Sequence, residues 1–160
     1  SDGWAHDLLK CVLSKIGIVS SQSRLLARTW KQLIREMGGV GGGGLIIHYA
    51  HSIGGTETSN AKRLLTPAER MMIRVITLGS ATLIPDSDFQ SVVNYVSWGD
   101  GVCYFDPIGY VRALLNDDTN IYLVGSSFGI PLIDHLLEND SYSSVVRMLG
   151  ADFVRTYGSL

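Results

Sequence analysis

Apolar positions along this chain recur at helical spacing in its first forty residues and then condense into short continuous runs. Ala5, Leu8, Leu9, Val12, Leu13 and Ile16 share one helical face, and Gly17 ends that pattern. Leu25, Leu26, Trp30, Leu33, Ile34 and Met37 form a second stripe, which predicts a helix from about Gln22 to Met37. Ser20, Ser21 and Ser23 offer caps there, and Gly38-Gly39 supply the stop. Four consecutive glycines, Gly41 to Gly44, cannot sustain a helix and read as a connector. Leu45 to Ala50 then reads as a strand and Thr56 to Leu65 as a helix. Pro67 either punctuates the loop that follows or starts another short helical turn.

The second half repeats the alternation. Arg74 to Ile84 is a β-rich run broken at Gly79-Ser80, and Val92 to Trp98 is a short strand that leads into Gly99-Asp100-Gly101. Pro107 to Leu115 predicts a helix, Asn116 to Asp118 a loop and Ile121 to Val124 a fourth strand. Pro131 to Asn139 begins a helical or irregular segment, and Val145 to Val154 a closing helix. Strands without clean two-residue alternation, separated by helices, belong to a parallel sheet covered on both faces. The expected architecture is therefore α/β: a three-layer α/β/α sandwich with a mostly parallel sheet of about four strands.

Composition narrows the function classes. With 160 residues and 46% hydrophobic content the chain can bury one sizeable core, so residues 1–160 are read as a single domain. A formal charge of −2 with no basic run argues against nucleic acid and anionic membrane as partners. The long uncharged stretches, Met37 to Thr56 and Thr119 to Ile133, are interrupted by glycine, histidine, asparagine or proline and make poor membrane spans. Cys11 and Cys103 are expected as free, reduced thiols. The chain opens at Ser1 without a signal peptide, and we expect a fragment of a longer protein. Any membrane association would come only through segments outside this sequence.

The chemistry centres on Leu45 to Gly55. An apolar strand ends at His51-Ser52, and two glycines lead into a helix, which is the order of a nucleophile elbow. Such a turn lifts one hydroxyl clear of the backbone and presents it beside the free N–H groups of a helix N-terminus. Ala50-His51-Ser52-Ile53-Gly54 fits the pattern except that alanine replaces its first glycine. Gly125-Ser126-Ser127-Phe128-Gly129 fits in full and also follows a strand. Chain order favours Ser52. In this type of site the serine is followed by the acid and then the histidine. After Ser52 come Asp86, Asp88, Asp100 and Asp106, then His135, whereas after Ser127 only Asp134 precedes His135.

We therefore expect Ser52 as nucleophile, His135 as general base, Asp100 as its carboxylate partner and the Ile53 amide as an oxyanion donor, with Asp106 and Ser127 in reserve. Each has an ordinary reading as well: Ser52 as a helix N-cap, Asp100 as a turn residue, His135 as a surface histidine. The glycines 38–44 precede a strand and lack a following Gly-Lys-Ser/Thr, so they are not a phosphate loop. His48 and His51 have no acidic or cysteine-rich neighbours in sequence, and neither a metal nor a cofactor is expected. Trp4, Trp30 and Trp98 read as core or interface aromatics.

With those residues identified, the chain resembles the lipase- or esterase-like branch of the α/β-hydrolase superfamily, and more closely a family of uncharacterised chlamydial proteins with that fold. The resemblance runs through Gly3-Trp4-Ala5-His6-Asp7-Leu8-Leu9-Lys10-Cys11, Ile16 to Ser20 and the strand ending in His51-Ser52. It continues through Tyr95-Val96-Ser97, Asp106-Pro107-Ile108-Gly109 and Asp134-His135, with Tyr142 downstream. It implies a Ser52–Asp100–His135 triad acting on a small acyl or lipid substrate. A full α/β-hydrolase has strands before the elbow strand and takes a second oxyanion N–H from an early loop. Only two predicted helices precede Leu45. The resemblance therefore implies a truncated or reduced fold, whose second donor is missing or comes from Ser1 to Trp4. A rival reading is a catalytically inactive domain of that fold, used for binding or assembly within a larger membrane-associated protein.

Overall fold

The computed structural model describes residues 19–97, 100, 107–125 and 140–158. The expected helix over 5–16, Trp4, Cys11, Trp98, Cys103 and the segment 131–139 lie outside the described residues.

Helix α1 (Ser21–Glu36) starts where the sequence provides a cap: Ser20 has extended backbone and its hydroxyl accepts the Ser23 N–H. Its inward residues Ser23, Ala27, Trp30 and Ile34 follow the helical repeat. Strand β1 (Ile46–His51) leads into α2 (Ile53–Ala61), a 3-10 turn (Lys62–Leu64) and the short α3 (Pro67–Arg70). Helix α3 is closed by a capping box between Thr66 and Glu69 with Pro67 in its first turn. Strand β2 (Ile73–Leu78), a 3-10 turn (Asp86–Asp88), β3 (Ser91–Ser97), α4 (Pro107–Leu114), β4 (Ile121–Val124) and α5 (Asp140–Tyr157) follow.

Among the described residues the four strands form one sheet in the order β1-β2-β3-β4, every pair parallel. Burial follows position: β2 is buried along almost its whole length, while the outer strand β1 is mostly half-buried and β4 exposes Tyr122 and Leu123. Two apolar clusters occupy opposite faces. On one face Ala27 and Trp30 of α1 and Ala61 of α2 pack on Ile73, Val75, Val92 and Phe89. On the other, Tyr142 and Val145 of α5 pack on Leu78, with Tyr95, Val124 and Leu149 alongside. This is the three-layer α/β/α arrangement expected from the sequence.

A buried polar network fixes the long β2–β3 connection. Asn94 is fully buried and makes four hydrogen bonds. Its Oδ1 accepts from Thr77 Oγ1 and from the Ile84 N–H, and its Nδ2 donates to the carbonyls of Ile84 and Asn120. All four hydrogen-bonding positions of the amide are filled, so the group specifies the loop at little desolvation cost.

Two helices depart most from their expected limits. Helix α2 begins at Ile53 instead of Thr56 and gives way to a 3-10 turn at Lys62. The β-rich run 74–84 breaks where expected: the strand ends at Leu78, and Gly79 at φ +52° turns the chain. Helix α5 extends beyond Val145 and Val154 at both ends, to Asp140 and Tyr157. Tertiary packing accounts for both helices, because the glycines of α2 and the serines and glycine of α5 weaken their local signals.

Candidate active site

All four strands run the same way, so their C-terminal ends share one edge of the sheet, where ligands of open α/β sheets bind. Ser52 follows β1, Gly79 follows β2 and Asp100 follows β3.

Ser52 is the one non-glycine residue with positive φ among the described residues, at φ 55° and ψ −125°. An ordinary N-cap has extended backbone and a side chain bonded to the first turn. Ser20 and Thr66 both do, at φ −71° and −69°, each accepting a backbone N–H. Ser52 does neither, since its side chain makes no capping bond to α2. The structure therefore departs from the N-cap reading and has the strained strand-to-helix turn that an elbow requires. Three main-chain bonds hold it there: the Ser52 N–H donates to Leu78 O (3.3 Å), and Ser52 O accepts from the Gly55 N–H (3.2 Å) and the Ala81 N–H (3.0 Å). Strain of this kind persists where the surroundings over-determine it.

The flanking small residues have steric reasons. A Cβ on Gly54 would meet the Ala50 Cβ at 3.8 Å, so the positions two before and two after the serine face each other across the turn. Alanine in place of the motif's first glycine fits this space. A Cβ on Gly55 would lie 1.7 Å from Ser80 Oγ, which forces glycine where α2 passes the end of β2. Ile53 is the first residue of α2, and its N–H belongs to the turn that has no intrahelical acceptor.

Asp100 is 1% exposed. Its Oδ2 accepts a 2.6 Å hydrogen bond from the Tyr142 hydroxyl, and its N–H donates to Ser97 O (3.1 Å). A Cβ on Gly79 would fall 2.4 Å from the same Oδ2. Thus the Ser52 amide and the Asp100 carboxylate both converge on Leu78-Gly79 at the end of the central strand.

His48 belongs to the opposite layer. It points toward α1 and α2, its ring edge-to-face with Trp30 at 5.0 Å. The Thr58 hydroxyl donates to Gly54 O (2.8 Å), so it accepts from His48 Nε2 (2.9 Å), which places a proton on Nε2. Burial lowers its pKa to about 4. His51 lies on the α5 side, 6.3 Å from the Tyr142 ring, and lines an open apolar cavity of about 580 Å³ with Tyr49, Leu78, Val146 and Phe153. No group of three potential metal ligands occurs among the described residues.

The sequence-based candidates are thus brought together in part. Ser52, Ile53 and Asp100 share one sheet edge, whereas His135, Asp106 and Ser127, with the 1–4 segment considered for a second oxyanion donor, lie outside the described residues. Sequence reasoning read Gly79 only as a break in a β-rich run and Tyr142 only as part of a resemblance, and gave neither a role in the site. The break at Gly79 marked the first; the stripe of Tyr142, Val145 and Leu149 marks a buried helix face but not the bond to Asp100. No known protein family, curated protein or solved structure matches the chain.

Proposed function

We propose that this chain is a lipase- or esterase-like serine hydrolase of the α/β-hydrolase superfamily, related to the chlamydial family named above, that cleaves carboxylic esters or thioesters. The observation that carries the reading is the backbone of Ser52. A serine that forgoes its capping bond and adopts a glycine-like conformation between a strand and a helix has a cost that a plain cap does not explain.

In this reading Ser52 Oγ attacks the acyl carbonyl while His135 takes its proton, then returns it to the leaving alcohol or thiol. Water repeats the sequence on the acyl-enzyme and regenerates the serine. Asp100 holds the imidazole in the productive tautomer and stabilises its cation. Of the four histidines, His135 alone follows Asp100 in the chain. Ser52 and Asp100 follow strands that are two apart, about 10 Å at the main chain. One imidazole with a hydrogen bond of about 2.8 Å at each nitrogen spans that gap above the end of β2. The missing side chain of Gly79 leaves room for the Asp100 carboxylate and the Tyr142 hydroxyl at that end. The Ile53 N–H would meet the developing oxyanion, a contact worth roughly 3–4 kcal/mol in the transition state.

Pre-steady-state hydrolysis of p-nitrophenyl acetate and butyrate tests the proposal. A burst of one nitrophenol per chain is expected, abolished by Ser52→Ala and kept by Ser127→Ala. A burst that survives Ser52→Ala overturns it.

A second reading, a non-catalytic assembly domain, draws on β1. Among the described residues this strand forms one edge of the sheet, beside the open apolar cavity. Concentration-dependent sedimentation without any burst would favour it.

A further inference from the structure

Tyr142 is fully buried in α5, at the place where three strand ends meet. Its hydroxyl accepts the Ser97 N–H at the end of β3 (3.1 Å) and donates to Asp100 Oδ2 (2.6 Å). At the end of β2, a Cβ on Gly79 would come within 2.9 Å of the same hydroxyl, and the His51 ring of β1 stands edge-on to the phenol at 6.3 Å. A phenol has one proton to give. An amide N–H can only donate, so the Ser97 bond occupies an acceptor position and leaves the proton for the carboxylate. A bond donated to a carboxylate fixes its torsion.

A fixed torsion is what a triad acid needs, because its orientation selects the imidazole tautomer. Asp100 stands on a loop, where a side chain is otherwise free to rotate. Tyr142 joins it to a helix of 18 residues packed on the sheet. We propose that Tyr142 is the positioning residue of the acid: it aims the Asp100 carboxylate at the base and couples α5 to the catalytic edge. This inference rests on the serine hydrolase reading.

The test is inactivation by a fluorophosphonate, with the limiting rate of inactivation and the probe's apparent affinity separated by varying its concentration. The proteins compared are wild type, Tyr142→Phe, Asp100→Asn and the double variant. Tyr142→Phe should slow the limiting rate roughly 10- to 100-fold, the scale expected when a reacting group is displaced by about 1 Å, with apparent affinity within about twofold. In the Asp100→Asn background the same change should have no further effect, because the carboxylate that Tyr142 orients is gone and an amide in its place cannot stabilise the imidazolium. Equal losses in both backgrounds, or no loss in either, overturn the proposal.

If Asp100→Asn fails to fold, Val145→Ala takes its place. That variant loosens the same helix against the same cluster without touching the carboxylate. Slowing by Tyr142→Phe alone supports the proposal, and equal slowing by Val145→Ala overturns it. A wild-type protein that reacts at Ser52 while this comparison fails removes only the role of Tyr142. A wild-type protein that does not react at Ser52 removes the hydrolase reading and this inference with it.

Discussion

Replacing Ser52 by glycine should make the protein more stable while destroying its proposed activity. At φ 55° and ψ −125° an L residue sits outside its favoured regions, at a cost of about 1–3 kcal/mol that glycine does not carry. Against that, glycine adds about 0.5–1 kcal/mol of unfolded-state entropy. No capping bond to α2 is lost, since Ser52 makes none. These backbone terms give a net gain of about 1 kcal/mol, or roughly 2–4 °C in Tm for a chain of this size. Ser52→Ala keeps the strain and should fall below Ser52→Gly. Ser20 is the internal control: it has extended backbone and a bonded side chain, so both Ser20→Ala and Ser20→Gly should lose stability. Urea and thermal unfolding of the five proteins give the comparison. A Ser52→Gly protein less stable than Ser52→Ala, which lacks the same hydroxyl, would refute the strain argument.

Two further outcomes follow from the same geometry. Gly79→Ala places a methyl group 2.4 Å from Asp100 Oδ2 at a position with φ +52°, so urea unfolding should show a loss above about 2 kcal/mol and probe labelling should slow at least tenfold; unchanged labelling would separate Gly79 from the site. Burial holds the folded pKa of His48 near 4, below its usual 6.5, so between those values the unfolded chain binds more protons than the folded one. Stability should be complete above pH 6.5 and fall by about 3 kcal/mol as pH drops to 4. His48→Gln should flatten that fall in urea titrations at several pH values, and an identical pH profile in the variant would contradict the burial of a neutral imidazole.

Much of the layer structure was legible because it is written locally. The stripe through Trp30 and Ile34, the cap at Ser20 and the continuous run before His51 each announce one element, and the structure moves their limits by a residue or two. Helix α2 was harder to place. Ile53-Gly54-Gly55 are poor helix formers, and the helix starts there because Gly55 must pass within contact of Ser80, a residue 25 positions away. The serine and the aspartate could be chosen from chain order, since a parallel sheet puts every strand's C-terminal end on the same edge. Tyr142 could not. Its bond to Asp100 joins residues 42 apart, and nothing in the local sequence marks a buried tyrosine as a partner for a loop carboxylate. His135, Asp106 and Ser127 rest on the sequence alone.

The central claim is that Ser52 is an activated nucleophile, and a covalent adduct tests it most directly. The purified protein would be treated with a fluorophosphonate and the modified residue located by peptide mass spectrometry, with Asp100→Asn, Ser127→Ala and His135→Ala alongside. The account predicts one adduct per chain on Ser52, unchanged by Ser127→Ala and suppressed by His135→Ala and Asp100→Asn. An adduct on Ser127, or a folded protein that takes up no probe, would contradict it.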